Sequence, residues 1–446
     1  MRIVFVGAAA SLSACLTLSA AVITRYDDRA RFTAETAASR STIDFDSVAN
    51  GQCVALPSAA GVTASGVNFN GGVARLTSSG ACSPPLRLWE GYVLTARLLA
   101  RGTGTTPALT ATLPAGVNAV GFQVGLNEDL ASSTVEVVVS TSDGDQQTFT
   151  VTTTQTGTGS DRRIQPTFVG FTASRNITSV RYRVPAVDDA ILVLDNFIFG
   201  ELAAPVISST NGVLNGASFT GSIGPNSWVS IFGQRLSAGA SRLWQGSDFS
   251  GSRLPTAVED ISVTINGRPA YVAYVSPGQL NVLTPADLPE GPATVQVMRG
   301  ASRSNTFAIT IQRVAPALFM FDAEARRYVA ANHVNGTPVG KTTLYPGVSS
   351  PAAPGEIITL WGTGFGRTDP AIPAGEIVST ATRLIVAPVV TIGGATADVQ
   401  FAGLTIAGVY QFNVVVPPTL ASGDHQVYIQ VEGARTQDNA FLTVQR

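Results

Sequence analysis

The feature that most limits what this chain can fold into is a long internal repeat. "ISVTINGRPAYVAYVSPGQLNVLTPADLPEGPATVQVMRGASRSNTFAITIQ", Ile261 to Gln312, lays over "PVVTIGGATADVQFAGLTIAGVYQFNVVVPPTLASGDHQVYIQVEGARTQDNAFLTVQ", Pro388 to Gln445. The matches fall in order: Val263-Thr-Ile with Val390-Thr-Ile, Gln279-x-Asn-Val with Gln411-x-Asn-Val, Gly291 with Gly423, and Asn305-x-Phe with Asn439-x-Phe. With Pro225 and Pro354 as the opening pair, two tandem copies follow one another at a spacing of roughly 130 residues, the length of one ordinary domain. A chain of 446 residues has room for a third, each burying its own core.

Each copy alternates apolar and polar residues over short runs, broken by "NG", "GG", "PEG" and "SGD". That pattern predicts strands joined by tight turns in a two-sheet sandwich. The 44 glycines fit many turns, and charged residues make up only 13% of the chain. The expected class is all-β. The glycine-rich "APGEIITLWGTGFGRT", Ala353 to Thr368, has the look of a phosphate loop, but two prolines follow in place of a helix and no Lys-Ser/Thr pair is present. Its counterpart "GPNSWVSIFGQRLS", Gly224 to Ser237, shows the same plan of proline, alternating strand and turn. Nucleotide binding is therefore not expected.

On these residues the chain resembles known modules. "PGEIITLWGTGFG" resembles the opening strand of bacterial IPT/TIG immunoglobulin-like domains. "NGASFTGSIGPNSWVSIFGQRLS" and "FAGLTIAGVYQFNVVVPPTL" are similar to the uncharacterised C-terminal domain family of secreted Solibacter-type acidobacterial proteins. The resemblance covers about Pro205 to Arg446, implies immunoglobulin-like folds and brings no catalytic residues. Upstream, runs such as "STVEVVVST", "QQTFTVTTT" and "ITSVRYRV" predict a sandwich of jelly-roll type. There "STIDFDS" and "LDNFIFG" loosely resemble the first and last strands of secreted bacterial jelly-roll modules, some of which bind carbohydrate. The expected organisation is a signal peptide over 1–21, a jelly-roll-like β-sandwich over 22–202, and immunoglobulin-like domains over 203–315 and 316–446.

The N-terminus, one basic residue and an apolar run ending in small residues, reads as a secretory signal cleaved after Ala21, with Ser19 and Ala21 at the small-residue positions. "LSAC", Leu12 to Cys15, resembles a lipobox, the alternative in which Cys15 is lipidated. No later run reaches the ~20 apolar residues of a membrane span. The final strand, "NAFLTVQR", carries no sorting tail, so covalent surface attachment is not expected there. The reading is a secreted or cell-surface protein. A mature chain keeps two of its three cysteines, Cys53 and Cys82, whose parity suits a disulfide in an oxidising compartment, worth about 3–4 kcal/mol for a loop of about 30 residues. The alternative is a pair of buried thiols.

A formal net charge of −2 offers nothing to nucleic acid or anionic lipid. Catalytic motifs are missing: there are two histidines, no Gly-x-Ser-x-Gly, no His-Glu-x-x-His and no Cys-x-x-Cys. His425 follows Asp424 in a strand, where neighbours face opposite ways, and His333 reads as a solvated residue of the connection between the tandem domains. Asp27-Asp28, Glu128-Asp129 and Asp188-Asp189 read as solvated loop charges. The alternative, an extracellular glycan-active hydrolase with its site in the N-terminal domain, needs only two such carboxylates across a groove. Calcium is the one cofactor suggested. Hard cations take several carboxylate oxygens, and Asp44 and Asp46 share a strand face near the place where Asp195 of the closing strand would come. For a ligand, Trp89 and Tyr92 in "LRLWEGYV" could stack a sugar ring, or else pack in the core. Trp228 and Trp361 occupy similar places in the two repeats and read as structural. The expected function is non-enzymatic binding or adhesion, to carbohydrate or a cell-envelope surface.

Overall fold

The computed structural model describes residues 21–43, 54–55, 62–70, 73–77, 97–101, 108–127, 132–156, 163–165, 167–184, 191–238, 241–321, 327–373 and 375–446. Strands dominate throughout. Among the described residues, contacts divide the chain into one compact unit that runs to Ala204 and includes Gly300–Ser302, and another made of Pro205–Arg299 and Arg303–Arg446.

In the N-terminal unit an eight-stranded sheet runs Ile23–Tyr26, Thr167–Ala173, Ala119–Asn127, Ile191–Gly200, Arg97–Arg101, Val73–Thr77, Val54–Ala55, with Ser41–Ile43 also on Ile191–Gly200. A seven-stranded sheet runs Arg163–Gln165, Gln146–Thr156, Ser132–Thr141, Ile177–Arg183, Ala108–Thr112, Val67–Asn70, Val62–Ala64. Period-two alternation gives strands such as Ser132–Thr141 and Ile177–Arg183 one buried side, whereas Thr167–Ala173 and Ile191–Gly200 are buried on both faces, and apolar residues of the two sheets form a single core. Aromatic rings lock the sheets across it: Phe122 meets Tyr182 edge-on at 4.8 Å, and Phe69 meets Phe197 at 5.1 Å. A short helix, Arg29–Glu35, departs from the all-β expectation. Asp28 caps it by accepting the Arg31 N–H at 2.7 Å, and its buried Phe32 docks on the eight-stranded sheet.

The C-terminal unit holds two further sandwiches with separate cores, one around Val229, Val263, Val282 and Val295, the other around Ile358, Val390, Phe412 and Ile429. The "NG" and "GG" turns behave as the sequence requires. Asn266-Gly267 and Gly393-Gly394 all have positive φ and close two-residue hairpins. The repeated Gln-x-Asn acquires a structural meaning. Ser230 Oγ donates to Asn281 Oδ1 at 3.0 Å and Gln279 Nε2 donates to the same oxygen at 2.9 Å. In the second copy Thr359 Oγ1 and Gln411 Nε2 donate to Asn413 Oδ1 at 3.1 and 2.8 Å. Each repeat thus pins the same strand pair, Trp228–Gln234 on Gln279–Leu283 and Ile357–Thr363 on Val409–Val415, with one amide.

This register also corrects the placement of the tryptophans. Trp228 opens its strand opposite Leu283, whereas Trp361 lies opposite Gln411 and so corresponds to Phe232. They are not equivalent positions, yet both rings enter the seam between the tandem sandwiches. Trp228 Nε1 donates to Ala407 O at 3.1 Å, and its backbone N–H donates to Thr363 Oγ1 at 3.0 Å. The glycines of "LWGTGFG" serve the same seam. A side chain on Gly364, at φ 77°, would come within 2.2 Å of the Ala315 carbonyl. The loop is a backbone contact, with no helix behind it for a phosphate.

Tyr410 lies fully buried in the second sandwich and donates to the Gly366 carbonyl. Burial pushes its phenol up to about 12. Below pH ~10 it is neutral in both folded and unfolded chains; above, the unfolded chain releases a proton that the folded one retains. Stability should therefore fall between pH 10 and about 12, by on the order of 2–3 kcal/mol from this residue. Denaturant titrations at stepped pH, with tyrosinate absorbance, measure it, and Tyr410→Phe should flatten the decline.

Candidate functional site

Of the residues singled out for calcium, Asp195 alone is described. It sits on Ile191–Gly200, 5% exposed, where the pairing with Ala119–Asn127 slips between Asp195 and Ile198. Its Oδ1 accepts the Asn196 N–H at 2.7 Å, and Asn196 takes the left-handed conformation, φ 48°, and donates to Gln123 Oε1 at 2.6 Å. The "STI" strand Ser41–Ile43 does pair with this closing strand, Ile43 facing Phe197. Asp44, Asp46, Cys53, Cys82, Trp89, Tyr92 and Cys15 lie outside the described residues, as do Glu128, Asp129, Asp188 and Asp189. Among the described residues no three His, Cys, Asp or Glu side chains gather as a metal group would require.

Asp27 and Asp28 are not idle charges: Asp27 pairs with Arg25 at 2.6 Å and Asp28 caps the helix. Asp424 and His425 diverge. Asp424 accepts from Tyr328 Oη and Thr443 Oγ1, both at 2.8 Å, while His425 Nε2 lies 2.8 Å from the Ala421 carbonyl. The hydrogen bonds and nearby Lys341 hold the Asp424 carboxyl below its ordinary range despite the opposing effect of partial burial, the largest single influence.

His333 departs from the solvated-linker expectation. It lies in a strand, Ala331–His333, paired with Ile357–Thr363, and its side chain is 12% exposed. Nδ1 is 2.5 Å from Glu356 Oε1, and Nε2 is 3.0 Å from both the hydroxyl and the carbonyl oxygen of Ser350. Serine, imidazole and carboxylate stand in the order of an acyl-transfer relay. Two details favour a structural role for the cluster. The Ser350 carbonyl competes for the same nitrogen at the same distance, and the next residue, Pro351, has no N–H to offer an oxyanion. The imidazole instead joins two segments to the start of the Ile357–Thr363 strand, with Glu356 Oε2 accepting the Ala353 N–H at 2.8 Å. No local signal announces this cluster, since strand pairing alone brings its members together.

Fold and sites together define a multidomain β-sandwich protein. Within it, residues 218–311 match the IPT/TIG domain family. No curated protein sequence matches the chain. Among solved structures, TmCBM61 in complex with β-1,4-galactotriose is similar at 13% identity and a TM-score of 0.19, over 31% of this chain and 89% of that one. SGBP-B of the Bacteroides ovatus mixed-linkage glucan utilization locus, solved with a mixed-linkage heptasaccharide, gives 13% and 0.24 over 83% and 70%. Gamma-CGTase of alkalophilic Bacillus clarkii gives 10% and 0.17 over 84% of this chain but only 40% of its own. At these values the structural likenesses carry no functional inference.

Proposed function

We propose that this is an exported, non-enzymatic binding or adhesion protein whose N-terminal sandwich takes a carbohydrate or cell-envelope ligand and whose tandem sandwiches serve as a stabilising platform. The seam between the tandem domains carries this reading. Its tryptophans and glycines are spent on joining two domains, which suits a spacer better than a second site. Cleavage after Ala21 would place at the new N-terminus Val22, whose N–H donates to Ser174 Oγ at 3.0 Å just ahead of the strand Ile23–Tyr26, and would remove the bond from the Ala21 N–H to Asp145 Oδ2 at 2.6 Å. Among the described residues no helix is long and apolar enough to cross a membrane.

The test is a glycan array and a set of bacterial envelope fractions, probed with the full chain and with the Pro205–Arg446 unit alone. Binding by the full chain and none by the tandem unit is expected; binding by the tandem unit would reverse the assignment. Turnover of chromogenic glycosides or esters by the full chain would defeat the non-enzymatic reading.

The same domain is proposed to gain stability from calcium through Asp44, Asp46 and Asp195. A cation that binds only the folded state adds about 2.7 kcal/mol at a hundredfold excess over its Kd. Melting should rise in millimolar calcium and the rise should vanish in Asp195→Asn. An unchanged melting temperature after exhaustive chelation would remove the site.

A further inference from the structure

The outward side of the seven-stranded sheet bears a feature that the aromatic-loop expectation overlooks. Thr63, Asn68, Thr112, Ser179, Ser140 and Gln146 stand directly opposite one another across six adjacent strands. Every member is a neutral hydroxyl or amide, exposed or half-exposed, while the residues alternating with them, such as Ala64, Val67, Phe69, Ala111, Val180 and Val139, are buried. At about 4.8 Å per strand the row extends some 24 Å. Asn68 Nδ2 donates to Thr63 Oγ1 at 3.0 Å, so these amides and hydroxyls lie within reach of one another along the face.

We propose that this row is the binding surface for a neutral, extended polysaccharide lying across the strands. The proposal rests on the carbohydrate-binding reading above and gives it a place and a substrate class. Three observations select the occupant. The row itself carries no charge; beside it stands one cation, Arg181, and two rows away Glu136 and Arg183 neutralise each other in a salt bridge, so a single positive charge is all the field offered to an acidic polymer or nucleic acid. The six positions contain no aromatic or methionine anchor of the kind that centres a protein interface, so recognition along the row rests on hydrogen bonds and not on ring stacking. Evenly spaced groups that both donate and accept suit a polymer whose repeating unit offers hydroxyls of both kinds. Arg181, in the next row opposite Thr110 and Val138, adds a planar fork of donors beside the track.

Affinity electrophoresis of the full chain in gels containing β-1,4-galactan, mixed-linkage β-glucan, xylan or, as an acidic control, polygalacturonate tests it. Thr112→Val, Ser179→Ala and Ser140→Ala combined remove three hydroxyls from exposed strand positions and should weaken binding about tenfold or more, each lost hydrogen bond contributing a few-fold. Melting temperature provides the folding control. Should the triple variant melt early, Ser140→Ala alone with an unchanged melt should still show a few-fold loss. Retention of full affinity by these variants, with loss in Trp89→Ala, would overturn the row while leaving the carbohydrate reading intact. Retardation only by polygalacturonate, abolished by salt, would overturn the neutral class. Retardation by no polysaccharide would remove both the row and the reading beneath it.

Discussion

Truncating Trp228 to alanine should cost the tandem unit about 2–4 kcal/mol and separate its melting into two transitions, one for each sandwich. The half-buried indole is shared by two apolar clusters. On one side it meets Ala217, Ala317, Phe319 and Val409; on the other Leu254, Leu283 and Ala407. Trp244 stands edge-on to it at 5.8 Å. Removing the ring empties both clusters where they join and leaves the Ala407 carbonyl without its indole donor. Each sandwich keeps its own core, so the expected damage is to coupling more than to folding. Calorimetry of the Pro205–Arg446 unit decides the matter. A single transition shifted by less than about 1 kcal/mol would show that the seam is held by backbone contacts such as Leu254 N–H to Gly375 O, at 2.8 Å, and not by the ring.

The contrast between Trp228 and Asn281 shows what was legible in the chain. Asn281 and Asn413 recur in matching strings, and because each amide bonds within its own repeat, comparison of two stretches finds both. The indole of Trp228 reaches a carbonyl 179 residues away, and nothing near either residue encodes that meeting. His333 follows the same rule: it reads as solvated until Ala331–His333 is seen to pair with Ile357–Thr363. Alternation along strands such as Ser132–Thr141 and Gly291–Arg299 disclosed the two-sided sandwiches, since it is imposed by the pleat itself. The polar row was hidden for the opposite reason, because its members come from six separated strands and no one strand carries more than a single member. The helix Arg29–Glu35 was missed because seven residues are too few to establish a helical period. Its only local sign was Asp28, an N-cap residue that otherwise reads as a loop charge.

That helix supports the second large expectation, that Gly170→Ala destabilises the N-terminal domain by about 1–3 kcal/mol and Phe32→Ala by about 3–5 kcal/mol. Gly121 and Gly170 face each other on adjacent strands, and the Phe32 ring lies across the bare patch they create. A methyl on Gly170 would come within 2.5 Å of Phe32 Cδ2, and one on Gly121 within 2.8 Å of Cε1. Tyr26 and Phe168 flank the ring at 6.0 and 5.7 Å, leaving it little room to move aside. The ring anchors more than its own helix. Glu35 and Ala37 exchange backbone hydrogen bonds with Ala203 and Glu201, so the helix ties the opening of the domain to its closing segment. Because both substitutions act on one contact, their effects should not add: once Phe32 is alanine, the extra methyl at Gly170 has no ring to strike. The double variant should therefore be little less stable than Phe32→Ala alone. Strict additivity in chemical denaturation would mean that the Gly170 methyl strains the strand itself and that the glycine pair was not shaped for the ring.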